Sequence, residues 1–252
     1  MRVAVLSSAG KDSTYACWWA LMQGWSVEAL VTVHITSEDS MMFQLPNTSL
    51  AGLQAASMGT PWLPVLSEGI ENAEIDDLEA AIRGESEVES AYTRVKADSQ
   101  SIDFPSDLEL VEGALDIDAL VVGALRSDYQ KTRIERMCER LGIISYCPLW
   151  HHSPEDHMDS LVEHGFDVRL VSVSTEGLGE DWLGARLDKA NLSDLAAAAS
   201  KYRFNLDGEG GEFETIVVAA PHMPQRIDIS GSPEWYGRRG TWQVNEARLA
   251  SE

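Results

Sequence analysis

The sequence predicts an α/β protein, a parallel sheet with helices packed on it followed by a smaller second α/β domain. Short apolar, β-branched runs alternate with stretches of helical period through residues 1–147. The spacing between successive runs suits parallel strands joined by right-handed crossovers. Pro148-Leu149-Trp150 then marks a junction, and a second set of helix and strand patterns follows. The expected division is 1–147 and 148–252.

Val3 to Leu6 reads as a buried strand, and a small-residue loop leads from it into a helix that Asp12 or Ser13 can cap. Trp25 to Ile35 is the second strand. Residues 36–48 are a polar surface loop holding Met41, Met42 and Phe43, and Thr48 or Ser49 caps a helix to about Met58. Trp62 to Leu66 is the third strand. The charged segment 74–101 predicts one or two exposed helices, with Glu85 to Glu89 on a solvated face. Asp107 to Leu115 reads as another helix, because Leu108, Val111 and Leu115 share a face, and Ala119 to Val122 as the fourth strand. A helix capped by Ser127 or Asp128 and closed by Gly142 leads to a strand over Ile143 to Cys147. Beyond the junction come a helix from Ser153 to Gly165, a strand from Phe166 to Ser174 and an alanine-rich helix from Leu192 to Tyr202. The segment after Pro221 carries no clear signal, and its last residues are expected to fray.

Composition narrows the function classes. Lys and Arg number 19 against 41 Asp and Glu, a net charge of 19 − 41 = −22. Such a surface repels phosphate backbones and disfavours sequence-independent nucleic-acid binding. Cys17, Cys138 and Cys147 show no Cys-x-x-Cys spacing, so a disulfide framework or structural zinc is poorly supported, and Cys17 is expected in the core. His151, His152 and His157 lack the pairing of a zinc helix and are expected at polar surface or capping positions. No apolar run is long enough to span a bilayer, and the chain enters a strand at once, which points to a cytoplasmic protein.

Three stretches carry chemistry. Strand, small-residue loop and helix N-terminus over Val3 to Ser13 form an anion-binding device, in which backbone amides and the helix dipole point at one phosphate. Lys11 adds a charge, and Ser8 and Ser13 add hydroxyls; the spacing is neither Walker A nor Gly-x-Gly-x-x-Gly. Next, Gly123 to Gly142 gathers Arg126, Lys131, Arg133, Arg136 and Arg140 in a chain poor in cations, although some should pair with neighbouring carboxylates. Finally, Gly208, Gly210 and Gly211 are interleaved with Glu209, Glu212 and Glu214 just before a strand. Crowded like charges of this kind call for a cation or donor groups to meet them.

Ser8-Ala9-Gly10-Lys11-Asp12-Ser13 resembles the PP-loop of the ATP pyrophosphatases, with Ala9 where glycine is usual. An alanine there predicts a negative φ. Together with Gly123 to Gly142, Pro148-Leu149-Trp150 and Gly208 to Thr215, the chain resembles the diphthine–ammonia ligase family from residue 1 to about 225. Leu183-Gly184-Ala185-Arg186 and Ala220-Pro221 are similar as well. The resemblance implies an adenine-nucleotide-binding domain of the PP-loop, Rossmann-like (HUP) type. It also implies ATP and Mg²⁺ as cofactors, ammonium as nitrogen donor, and diphthine on translation elongation factor 2 as the group amidated through an acyl adenylate.

By the same resemblance, Ser7, Ser8, Ala9, Gly10, Lys11, Asp12 and Ser13 would hold the phosphates, Val33 and His34 the adenine, and Gly123 and Ala124 the ribose and α-phosphate. Ser127, Asp128, Tyr129, Gln130, Lys131 and Arg133 would face the substrate, as would Glu209, Gly210, Gly211, Glu212, Glu214 and Thr215. Lys11, Asp12, Arg133 and Glu212 would be catalytic, with the three glutamates forming an ammonium or trimethylammonium site. Two readings compete: a PP-loop enzyme modifying tRNA, which would want a basic surface, and a nucleotide-binding sensor of the same fold without chemistry.

Overall fold

The structure, a computed structural model, describes residues 1–36, 47–70 and 73–251. The expected loop with Met41, Met42 and Phe43 lies outside the described residues. The first sheet contains β1 (Arg2–Leu6), β2 (Ser26–Ile35), β3 (Trp62–Ser67), β5 (Ala119–Val122) and β6 (Ile144–Tyr146) in the order β3-β2-β1-β5-β6. Every pairing in it is parallel. Val3, Ala4 and Val5 are fully buried, because a central parallel strand is covered on both faces. The covering helices are α1 (Lys11–Met22), α2 (Ala51–Met58), α3 (Ala73–Ile82), α4 (Val88–Asp98) and α5 (Asp128–Leu141). No described helix is long and apolar enough to cross a membrane.

The second sheet is mixed, in the order β4-β10-β7-β8, with β9 paired to β10. Its strands are β4 (Ile102–Asp103), β7 (Asp167–Val173), β8 (Phe213–Ala219), β9 (Ile227–Tyr236) and β10 (Arg239–Leu249), and it packs with α6 (Pro154–Glu163) and α7 (Lys189–Tyr202). One buried cluster joins the two sheets, running from Val5 and Ala16 through Phe166 and Leu170 to Ile216 and Val244. Cys17 lies in it, and burial pushes its thiol up to about 12.

Three expectations are corrected. Residues 107–115 form no helix. Trp62 N donates to the Glu109 carbonyl at 2.8 Å and Val111 N to the Trp62 carbonyl at 3.0 Å, so the segment lies extended beside β3. That bridge pairs two of the segment's backbone groups, and Val111 is buried beside it. The segment after Pro221, which carried no clear signal, is the β9–β10 hairpin, with Ile227, Trp242, Val244 and Ala247 buried. Its alternation was hidden because a bulge between Val244 and Glu246 shifts the period by one residue. Neither Asp12 nor Ser13 caps α1, whose N-cap is Gly10. Thr48 and Ser49 form a 3₁₀ turn instead of capping α2. Ser127 and Ser153 do cap α5 and α6, accepting from Gln130 N and Asp156 N.

Candidate functional site

Where β1 ends, the chain turns through Ser7 to Gly10 into α1, at the carboxyl edge of the parallel sheet, where open α/β sheets bind ligands. Ser13 Oγ accepts from Ser8 N and donates to the Gly10 carbonyl, both at 3.2 Å, which ties the loop to the first helical turn. Ala9 is the surprise. Its φ is +61°, the left-handed region, where the expectation was a negative value. The surroundings impose it: Val217 N donates to the Ala9 carbonyl at 2.9 Å and Gln54 Nε2 at 3.3 Å, while Gln54 also donates to the Val217 carbonyl at 2.9 Å. These bonds fix the carbonyl and leave the side chain to bear the steric cost, on the order of 1–2 kcal/mol.

Lys11 and Asp12 open α1. The Lys11 ammonium is buried, 2.8 Å from Asp12 Oδ2, and Lys11 N donates to Thr215 Oγ1 at 3.2 Å. The other Asp12 oxygen lies 2.7 Å from His157 Nε2. Burial works to raise the Asp12 pKa, but Lys11 and His157 outweigh it and hold the carboxyl below its usual range. His157, expected at a polar surface or capping position, is instead 2% exposed, with the Tyr15 ring edge-on at 5.2 Å. A signal was present, since His157 falls with Met158 and Leu161 on the buried stripe of α6. His151 and His152 are exposed.

Gly123 closes the loop from β5. A Cβ there would stand 2.6 Å from both Asp12 C and Ser13 N, so only glycine lets the two backbones touch. On α5, Gln130 and Ile134, four residues apart, face the cavity. Their neighbours do not line it. Lys131 pairs with Glu135 and lies 5.2 Å from the Trp150 ring, and the Arg133 guanidinium stacks 3.5 Å from the Tyr129 ring. On β2 the strand period sends Val33 into the cavity, while His34 Nε2 sits 3.5 Å from Asp98.

The glycine- and glutamate-rich turn comes from the other sheet. Arg126, just before α5, holds it: the guanidinium grips both oxygens of Asp207 at 2.7 and 2.6 Å, and Arg126 N donates to Glu209 Oε1 at 3.0 Å. The Asp207 side chain is 1% exposed, so this pair is a buried strut that the sequence did not single out. Glu212 folds the turn itself, accepting from Asn205 N and Nδ2 at 2.9 Å and from Gly210 N at 2.8 Å. Its carboxylate is therefore outside the cavity lining. Glu209 and Glu214 do line the cavity, together with Gly208, Gly211, Phe213 and Thr215. Burial pushes the Glu214 pKa up to about 7, and burial also raises that of Glu209.

The result is one cavity of about 320 Å³, with Ser7, Ser8 and Gly10 to Ser13 on one wall, Val122 to Ala124 and Gln130 on another, and Glu209, Gly211 and Phe213 to Thr215 opposite. Thr48 and Ile134 complete it, neither assigned to ligand binding by the sequence, and the same holds for Phe213. No group of three or more metal-ligating side chains stands together among the described residues.

A parallel sheet whose first strand ends in such a loop beneath a helix N-terminus defines a PP-loop, Rossmann-like α/β protein. The diphthamide synthase N-terminal domain matches residues 1–103 and 93–145, and the diphthamide synthase C-terminal domain matches 153–250. The chain belongs to the diphthamide synthase family. Human diphthine–ammonia ligase is 29% identical over 240 residues, 92% of this chain and 84% of the human one. The rat protein of the same name is 30% identical over 241 residues, with the same coverage of both chains. That of Schizosaccharomyces pombe is 30% identical over 91% of this chain but only 36% of its own length. Among solved structures, a chain described as a predicted subunit of tRNA methyltransferase from Methanocaldococcus jannaschii is 16% identical. It superposes at a TM-score of 0.41 over 88% of this chain and 98% of its own, too loosely to bear on the argument.

Proposed function

We propose that this chain is an ATP-dependent ligase that amidates diphthine, on translation elongation factor 2, with ammonium as nitrogen donor. Its relatives carry the name diphthine–ammonia ligase. The observation that carries the reading is a single cavity in which an anion-binding loop faces two carboxylates, Glu209 and Glu214. The first suits phosphates, and the second suits ammonium or the quaternary ammonium of diphthine. In the same reading residues 1–147 form the nucleotide domain and 148–252 the substrate-side domain.

The chemistry then runs in two displacements. A diphthine carboxylate oxygen attacks the α-phosphorus of ATP, pyrophosphate leaves, and an acyl adenylate forms. Lys11 and the N-terminus of α1 stabilise charge on the departing pyrophosphate. Mg²⁺, arriving with the nucleotide, would neutralise further phosphate charge. Asp12, held between Lys11 and His157, orients the ammonium group of Lys11. Ammonia next attacks the acyl carbon, AMP leaves, and the amide forms. Ammonium must first lose a proton, and a carboxylate with a pKa near neutrality suits that transfer. Glu214, rather than Glu212, takes the role of base, since the Glu212 oxygens are used by the turn.

Pyrophosphate and AMP release tests the reading. Release that requires both diphthine-bearing elongation factor 2 and ammonium supports it. Release that depends on tRNA supports the tRNA-modifying alternative, which the net charge of −22 disfavours. ATP binding without release with either macromolecule supports a sensor.

A further inference from the structure

We propose that the tip of the β9–β10 hairpin is the docking element for the protein that carries the substrate side chain. The inference rests on the ligase reading for why a protein must dock at this cavity. It rests on the structure for where.

Residues 232–239 are exposed without interruption, although Ser232 to Tyr236 and Arg239 are paired strand and only Gly237 and Arg238 form the turn. Trp235 and Tyr236 are 37% and 70% exposed, adjacent large aromatics left uncovered. Both are held in place. Trp235 Nε1 donates to the Gly237 carbonyl at 3.0 Å and its ring lies over Gly240, while Tyr236 Oη donates to Glu234 at 3.1 Å. Rigid, amphipathic aromatics are the side chains that most often anchor a protein interface.

Register places this tip beside the cavity. Gly240 pairs with Val173 on β7, and Val173 pairs with Phe213 on β8, a cavity-lining residue. Trp235 on β9 pairs in turn with Gly240, so three strand spacings put the aromatics roughly 15 Å from that wall. Ser174, the next residue after β7, donates from N to the Glu212 carbonyl at 2.9 Å and from Oγ to the Gly211 carbonyl at 2.6 Å. Hairpin tip and glutamate turn therefore share one end of the sheet and one rigid frame.

Charge selects the partner's chemistry. The exposed run carries Arg238 and Arg239 against Glu234 alone, in a chain of net charge −22. A cationic, aromatic tip beside an acidic cavity fits a folded protein whose cationic side chain enters the cavity. Carboxylates and an apolar contact on that protein, roughly 15 Å away, would meet the arginines and aromatics. Such an arrangement orients the encounter as well as strengthening it.

The test uses the full chain and diphthine-bearing elongation factor 2. Binding is measured by calorimetry, nucleotide affinity with ATP and AMP, and turnover by AMP release. Tyr236→Ala and the double variant Arg238→Glu/Arg239→Glu are compared with the parent. Expected are at least about tenfold weaker factor binding and a matching rise in KM, with kcat and nucleotide affinity within about twofold. Because Tyr236 is mostly exposed, its variant keeps the test decisive if charge reversal impairs folding. Factor binding within about twofold of the parent overturns the proposal. So does a change in sedimenting mass with factor binding intact, which would make the tip a contact between two copies of this chain. A parent chain that does not bind the factor overturns it as well. A parent that binds through the tip yet releases no AMP refutes the ligase reading and leaves the docking surface standing.

Discussion

Asp12 Oδ1 and His157 Nε2 lie 2.7 Å apart, 145 residues distant in sequence. The bond joins the first turn of the helix beneath the anion loop to a helix packed on the other sheet. With the Lys11 ammonium 2.8 Å from the second oxygen, Asp12 has little rotational freedom. His157→Ala should therefore lower the rate of pyrophosphate release and cost on the order of 1–3 kcal/mol of stability, because Asp12 loses a buried donor. His157→Gln, which can present an amide N–H from a nearby position, should recover part of the rate. Equal rates for the two variants would remove the hydrogen bond from the explanation.

Glu214 predicts a pH dependence. Its pKa is about 7 in the folded chain against 4.5 when unperturbed. The folded state therefore holds this proton more tightly than the unfolded state. The associated stability is complete below about pH 4.5, declines as pH rises from there to about 7, and is then flat. Activity should run the other way, rising through about pH 7 as the carboxylate forms. In Glu214→Gln, denaturant titrations across that range should lose this decline, and the ammonium-dependent step should slow by about a hundredfold or more. An unchanged ammonium KM and kcat in the variant would exclude Glu214 as the base.

Ala9 carries an alanine at φ +61°. Ala9→Gly should stabilise the chain by about 0.5–1 kcal/mol, the steric relief being partly offset by the greater freedom of glycine in the unfolded chain. Ala9→Val should destabilise it, since a β-branched residue is disfavoured there. Urea midpoints decide, and a midpoint for the glycine variant below the parent would count against imposed strain.

Arg126 grips an Asp207 that is almost wholly buried. Arg126→Ala should cost about 3–5 kcal/mol by leaving a buried carboxylate uncompensated. Arg126→Ala with Asp207→Asn should recover much of that loss if the ion pair is the cause. Thermal unfolding of the single and double variants reads the difference.

Much of the architecture was legible because its signals are local. Strand runs such as Val3 to Leu6 and Ala119 to Val122 announce a parallel sheet through unbroken apolarity, and caps such as Ser127 and Ser153 through local hydrogen bonding. Residues 107–115 misled because the same apolar spacing serves a helix or an extended segment, and a distant strand, β3, decided between them. On α5 composition suggested a cationic wall, but helix geometry turned Gln130 and Ile134 inward and gave Lys131 to Glu135.

By itself the chain determined an α/β protein with a phosphate-ready loop after its first strand, since backbone propensity, small residues and apolar period all act over a few positions. The three-dimensional arrangement alone decided which glutamates face the cavity, why Ala9 is forced into the left-handed region, and that His157 meets Asp12. Each depends on atoms far apart in sequence competing for the same hydrogen bond or the same space, and no local pattern encodes the outcome of that competition.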